Sequence, residues 1–308
     1  MEPNKILLTG SKGFVGSNIE KVLKTKGHSF WAPTSSEVDL LDYQSTISAI
    51  GSYQPDLILH CAGKVGGIQD NIRHPYDYLY KNSQISLNLI EAARRFDVKS
   101  FLNIASTCMY PVSLSSIKEE NLLGGPLEQT NEGYALSKIL ALKLCEITDQ
   151  SSEILNYKTL APTNLFGPFD TLERSRMHLI SAIIAKCLDA QKAGNKVVVW
   201  GDGSARREFL YVETFVSIIM TAIQKLDQLP SYVNIGAGFD LSVLDYYKIV
   251  TKQIKMEPDF EFDLSKPTGV KQKSVDCRLQ KKLGLFEHFD LESSVNKTIQ
   301  YYRENLNV

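Results

Sequence analysis

The chain has 308 residues, enough to bury a large core as one big domain or two lobes. Hydrophobic residues at 43%, charged residues at 22% and a net charge of −1 describe an ordinary soluble globule and give little support to nucleic-acid or anionic-membrane binding. No apolar run is long enough to span a bilayer, and the five scattered cysteines, odd in number, fit reduced thiols in a cytoplasm better than disulfides or a zinc site.

KILLTG reads as a buried strand and SNIEKVLKTKG as the helix after it. SFWAP is a second strand and DLILHCAG a third, followed by a long helix through NSQISLNLIEAARRFD. FLNIAS, the helix YALSKILALKLCEITDQ and one further strand, KTLAPTNLFG, continue the alternation. Strand alternating with helix predicts an α/β fold, a Rossmann-type doubly wound parallel sheet. After about residue 166 the pattern loosens into turns and short strands such as VVVW and YVNIG. The expectation is a dinucleotide-binding domain over 1–166. Residues 167–308 then form mainly a smaller mixed α/β substrate lobe, with segments returning to the first domain.

Gly10, Gly13 and Gly16 in TGSKGFVG follow a strand and open a helix, spaced G-x-x-G-x-x-G. Glycines there let the backbone approach a pyrophosphate seated on the helix N-terminus; the bland alternative is a tight turn without a ligand. The end of the second strand, SFWAPTSSE, carries no acid until Glu37. Lys12 in the loop and the hydroxyl of Ser35 suit a 2′-phosphate better than a bare ribose, which points to NADP(H).

Tyr134 and Lys138, four residues apart in NEGYALSK, share one helix face. An ammonium beside the phenol is expected to lower its pKa from about 10 and make it a proton donor and acceptor near neutral pH. Ser106 ends the FLNIAS strand, where its hydroxyl can bond a reacting carbonyl. Lys138 would hold the ribose, and hydride would arrive from the opposite side. Each residue alone has a structural explanation; the order and spacing of all three favour reduction of a carbonyl.

With these residues in place, the chain resembles the extended short-chain dehydrogenase/reductases, and within them the GDP-L-fucose synthase (GDP-4-keto-6-deoxymannose epimerase/reductase) family. The matching stretches are CAGKVGGI, STCMYP, GPLEQTNEGYALSKILALKLCE, PTNLFGPFD and VVVWGDGSARREFLYV, almost end to end. The resemblance implies NADPH-dependent reduction of carbon 4 of a GDP-linked keto sugar after inversion at carbons 3 and 5. It makes Cys108 and His178 the acid/base pair, with His178 also bordering the cofactor. By the same resemblance Lys186, Val199, Trp200, Arg207 and Lys273 contact the GDP part. Asn82 lies near the cofactor, Asp39 and Leu40 on its adenine side, and Pro162, Asn164 and Leu165 on its nicotinamide side. Cys145 and Cys187 lie in helical apolar stripes and read as structural. A homodimer through the helices at about 82–97 and 134–150 is expected.

Departures concentrate near the sugar. Ser35 stands where the family has Arg, Lys186 where it has Arg, and Thr268 where it has Asp. The loop after GPFD reads TLERSRM, with Arg174 and Arg176. These changes motivate a rival: a C4 reductase without inversion, acting on a GDP-keto-heptose for capsule or lipopolysaccharide. A 4,6-dehydratase would want an acid where Cys108 stands. A 4-epimerase would hold NAD permanently, and a non-catalytic dinucleotide sensor would tend to lose the Tyr/Lys pair.

Overall fold

The tetrapeptide Ile6–Thr9 is buried at every position and forms strand β1. Its alternation sends Ile6 and Leu8 into one apolar cluster and Leu7 into another, so both faces of the sheet are covered. The computed structural model describes residues 3–174, 176–266 and 270–305. Helix α1 (Phe14–Lys26) leads to β2 (Phe30–Trp31), α2 (Tyr43–Tyr53), β3 (Leu57–His60), α3 (Ile68–Arg73) and α4 (Pro75–Arg95). Then come β4 (Ser100–Ile104), β5 (Ser116–Ile117), α5 (Glu132–Gln150), β6 (Asn156–Pro162) and β7 (Asn164–Phe166). The remainder comprises α6 (Leu179–Ala193), β8 (Val197–Trp200), β9 (Arg206–Arg207), β10 (Phe209–Tyr211), α7 (Val212–Gln224) and β11 (Tyr232–Ile235). After these follow β12 (Leu241–Ser242), α8 (Val243–Gln253), β13 (Phe260–Asp263), β14 (Gln272–Val275), α9 (Arg278–Lys282) and α10 (Leu291–Asn305).

Among the described residues, six parallel strands form the main sheet in the order β11-β6-β4-β3-β1-β2. Residues of α1 and α7 cover one face; residues of α2, α4 and α5, including Cys145, cover the other. The chain leaves β1 toward β2 on one side and returns to β3 on the other, which opens a crevice at the carboxyl ends of β1 and β3. This is the expected Rossmann-type sheet. The smaller lobe has its own core from α6, β8, α8 and α10, in which Cys187 is fully buried. The two-stranded pair β13-β8 and the mixed sheet β12-β9-β14-β5 complete it.

KTLAPTNLFG is two strands rather than the single one predicted. β6 pairs with β11 as far as Pro162, which has no N–H to continue a ladder. From Asn164 the chain pairs with β10 instead, and Thr163 bridges the change by donating its N–H to Ile235 O at 2.8 Å. The long helix before β4 also begins earlier than predicted, with Pro75 in its first turn.

Candidate active site

Gly10 follows β1 with φ +73° in the left-handed region, and a side chain there would lie 2.6 Å from Ala62 N. At Gly16 a Cβ would come within 2.1 Å of Gly10 O, so glycine is what lets α1 pack onto the loop. Gly13 caps α1 without a side-chain bond, and no acidic residue occupies the first turn, so that end of the helix favours an anion. A cavity of about 350 Å³ opens beside the loop, lined by Gly10, Lys12, Gly13, Ser35, Asp39 and Leu40 among others, and reaching Gly63 after β3. A bare backbone cradle at a helix N-terminus, next to hydroxyls and a lysine, fits a nicotinamide dinucleotide. Glu37 is turned to another use: Thr34 donates its N–H and hydroxyl to the Glu37 carboxylate at 2.7 and 2.8 Å. Lys12 is mostly exposed and sits 3.9 Å from Glu20.

Asn82, buried on α4, accepts from Lys64 N at 2.6 Å and donates to Lys64 O at 3.1 Å. It therefore pins the CAGKVGGI loop beside the cofactor crevice through both ends of its amide. Asn71 on α3 donates to Gly66 O and Gly67 O. Pro162 is buried at the end of β6; Asn164 donates to Glu208 O at 3.1 Å, and Leu165 packs against the main core.

Beyond β4, Ser106 caps a short 3₁₀ turn, its Oγ accepting from Cys108 N at 3.4 Å. Thr107 is buried between them, which leaves Ser106 and Cys108 partly exposed. On α5, Lys138 is buried, donates to Ile104 O at 3.0 Å, and lies 5.6 Å from the Tyr134 ring centroid. Cys108 and Lys138 act electrostatically on each other, and Cys108 on Tyr134, so these groups are near neighbours.

Their protonation departs from the sequence-based expectation. Burial raises the Tyr134 pKa well above the usual phenol value, and the neighbouring Cys108 and Tyr78 push the same way. Burial lowers the Lys138 pKa, and for Tyr134 it is burial that sets the direction. Cys108 is raised as well: burial outweighs the Ser106 hydrogen bond and the charges of Lys273 and Lys138. The protonated phenol is nevertheless the form that can donate to a ketone oxygen.

His178 caps α6 and contacts Asp170 and Phe14 rather than the Ser106–Cys108–Tyr134 group. Burial alone would lower its pKa, but the hydrogen bond and charge of Asp170 prevail and raise it. Trp200 is half exposed on β8, with Lys186 Nζ 4.6 Å and Lys266 Nζ 5.8 Å from its ring. Val199 faces the opposite way into the lobe core and is fully buried, so only its backbone remains available to a ligand. Arg207 and Lys273 are direct neighbours in the parallel β9–β14 pair, and Arg207 donates to Val270 O at 2.6 Å. Thr268 lies outside the described residues.

Sequence reasoning passed over two buried carboxyl groups. Asp170, in GPFD, holds His178. Glu208, beside Arg207, accepts from the N–H groups of Ala237, Gly238 and Val275 and so joins β14 to the turn after β11. Neither carries a spacing that marks it; each sits next to a residue that does.

Residues 6–236 match the model of the NAD dependent epimerase/dehydratase family. The chain is 40% identical over 305 residues to the GDP-L-colitose synthase of Yersinia pseudotuberculosis, covering 98% of this chain and 99% of that one. It is 40% identical over 300 residues to the GDP-L-fucose synthase of Azorhizobium caulinodans, covering 97% and 96%. Its fold superposes with a TM-score of 0.88 on a GDP-6-OMe-4-keto-L-xylo-heptose reductase from C. jejuni, at 22% identity and 98% coverage of both chains. The family match runs from the first strand to the end of the last strand of the main sheet, and the chain belongs to the NAD dependent epimerase/dehydratase family of extended short-chain dehydrogenases/reductases.

Proposed function

We propose that the protein is an NADPH-dependent reductase of the C4 ketone of a GDP-linked 4-keto-6-deoxy sugar, and that it inverts carbons 3 and 5 before reduction. What supports this reading is that Ser106 and Cys108 follow the carboxyl end of β4, where Lys138 donates to Ile104 O with its Nζ 5.6 Å from the Tyr134 ring centroid. The names of the full-length relatives, GDP-L-colitose and GDP-L-fucose synthase, support the nucleotide and the sugar class. Lys12 and the Ser35 hydroxyl, both lining the cavity beside the glycine loop, favour the 2′-phosphorylated cofactor. Such a cofactor supplies a hydride.

In this reading Ser106 holds the ketone oxygen and Tyr134 gives it a proton as the C4 alcohol forms. Lys138 holds the ribose. In the inversions, one member of the Cys108/His178 pair removes the proton on a carbon next to the ketone. The enolate charge spreads onto oxygen, and the other member returns a proton to the opposite face. Trp200 and Lys186 wall the base. Arg207 and Lys273 stand side by side, with the Glu128 carboxylate acting on both, and bring two cations to the place assigned to the diphosphate. The exposed residues Tyr76, Tyr80 and Leu87 of α4 and Leu136 and Ile147 of α5 are assigned to a dimer face.

Arg176 favours a second reading, C4 reduction without inversion on a GDP-keto-heptose. From the loop that departs from the family, its guanidinium donates to Val65 O at 3.0 Å and so ties that loop to the CAGKVGGI stretch. Proton NMR in deuterated water, with enzyme and keto sugar but no NADPH, separates the two. Deuterium entering carbons 3 and 5 supports inversion; no exchange, with reduction intact, supports the second reading. Failure to oxidise NADPH with any of a panel of GDP- and UDP-keto sugars sinks both.

A further inference from the structure

The reading above uses His178 as a proton carrier but leaves open which ring nitrogen faces the sugar. We propose that Asp170 is the positioning residue that fixes His178 in one orientation and tautomer, with Nδ1–H given to Asp170 and Nε2 left for the sugar. The inference rests on the inversion reading for its purpose and on geometry for its content. Asp170 is 2% exposed, and its Oδ1 lies 2.8 Å from His178 Nδ1. A carboxylate can only accept, so Nδ1 must carry the proton. No described residue hydrogen-bonds Nε2, and His178 remains partly exposed.

The carboxylate cannot swing away. Its other oxygen accepts the hydroxyl of Ser181 from the first turn of α6, and Thr171 N donates to Oδ1 at 2.8 Å. The backbone that carries it is held from two sides: Asn18 of α1 donates to Pro168 O at 2.9 Å, and Tyr302 of α10 donates to Thr171 O at 3.1 Å. Between these ties Phe169 adopts φ +69°, a left-handed conformation that a phenylalanine rarely takes. Strain of this kind persists only where the surroundings enforce it, and here its effect is to turn Asp170 inward. The other groups around the pair, Phe14, Tyr301 and Tyr302, bring no charge at neutral pH. Among the described residues, Asp170 is thus the charge that acts on the imidazole. A histidine with one nitrogen so anchored presents the other at a constant place through both inversions.

The test is Asp170→Asn, with Asp170→Glu as the conservative control and thermal unfolding to confirm that each variant folds. Nitrogen-15 NMR of labelled histidines reads the tautomer and pKa of His178 without substrate. In the wild type, the Nδ1–H form and a pKa above that of Asp170→Asn are expected. Deuterium exchange into the keto sugar without NADPH should fall about 10²- to 10⁴-fold in Asp170→Asn, the range for a misplaced or mis-tautomerised acid–base group. It should recover in part in Asp170→Glu, with NADPH oxidation on a sugar already inverted changing only a few-fold. A folded Asp170→Asn whose His178 keeps the wild-type tautomer and pKa overturns the inference. The NMR arm decides it even where the wild type exchanges no deuterium, a result that would count against the inversion step instead.

Discussion

Tyr134, Cys108 and His178 all hold their protons more tightly than the free side chains do. For Tyr134 and Cys108 the cause is burial; for His178 it is Asp170 acting against burial. The sign has a kinetic consequence. Inversion needs one member of the Cys108/His178 pair deprotonated, and raised pKa values postpone that form to higher pH. Exchange of sugar protons for deuterium should therefore increase with pH, with an apparent midpoint above 6.5, the unperturbed histidine value. A pH–rate profile of exchange that has levelled off by pH 6.5 would contradict this assignment. At this scale the candidate residues were legible in the sequence, because YxxxK and the Ser-Thr-Cys run are local patterns. It misjudged their protonation, because desolvation depends on packing that spacing does not report. Asp170 stayed hidden for a related reason: its importance lies in a contact eight residues away that follows no period.

Among the elements, the glycine loop and α1 were the most legible. A strand, three glycines at fixed spacing and a helix specify one local geometry. The three glycines are not equivalent, however. A methyl group at Gly16 would meet Gly10 O at 2.1 Å, backbone that cannot step aside, whereas at Gly13 it meets Gly10 O at 3.2 Å. Gly16→Ala should lose roughly 1–3 kcal/mol by overpacking and bind NADPH more weakly. Gly13→Ala should unfold nearer to wild type. Differential scanning calorimetry and fluorescence titration with NADPH check both; equal stability of Gly16→Ala and wild type would refute the packing account. The division of KTLAPTNLFG into β6 and β7 was not legible. Pro162 stands in a run that otherwise reads as one strand, and only the pairing with β10 shows where the chain changes partners.

Across the whole molecule, the parallel sheet and the looser second half follow from the alternation of apolar segments. How the two parts are tied does not, because the ties are single buried polar groups such as Glu208. His60 is another. Its Nδ1 pairs with Thr9 Oγ1 at 3.0 Å and its Nε2 with Ser86 Oγ at 3.3 Å beneath the cofactor crevice. Burial, with help from the charge of Lys138, pushes its pKa down to about 3. Between pH 6.5 and pH 3 the unfolded chain binds a proton there that the folded chain refuses, so stability falls on acidification. The slope from this one group is up to about 1.4 kcal/mol per pH unit. His60→Asn keeps hydrogen-bonding capacity toward Thr9 and Ser86 and should lose less stability than wild type over that window in urea unfolding. Parallel losses would rule His60 out as the cause. The α4/α5 face makes a separate prediction: the protein sediments as a dimer, and Ile147→Asp shifts it to monomer. A monomeric wild type would remove the dimer proposal.

The most direct measurement follows the hydride. NADPH carrying deuterium on its transferable C4 position is incubated with the protein and a GDP-4-keto-6-deoxy sugar, and the product is read by NMR. The account predicts deuterium on carbon 4 of the sugar, with one NADPH consumed per ketone lost. In Tyr134→Phe the transfer should slow by at least about 10²-fold. A product without that deuterium, or unchanged turnover in a folded Tyr134→Phe, would contradict it.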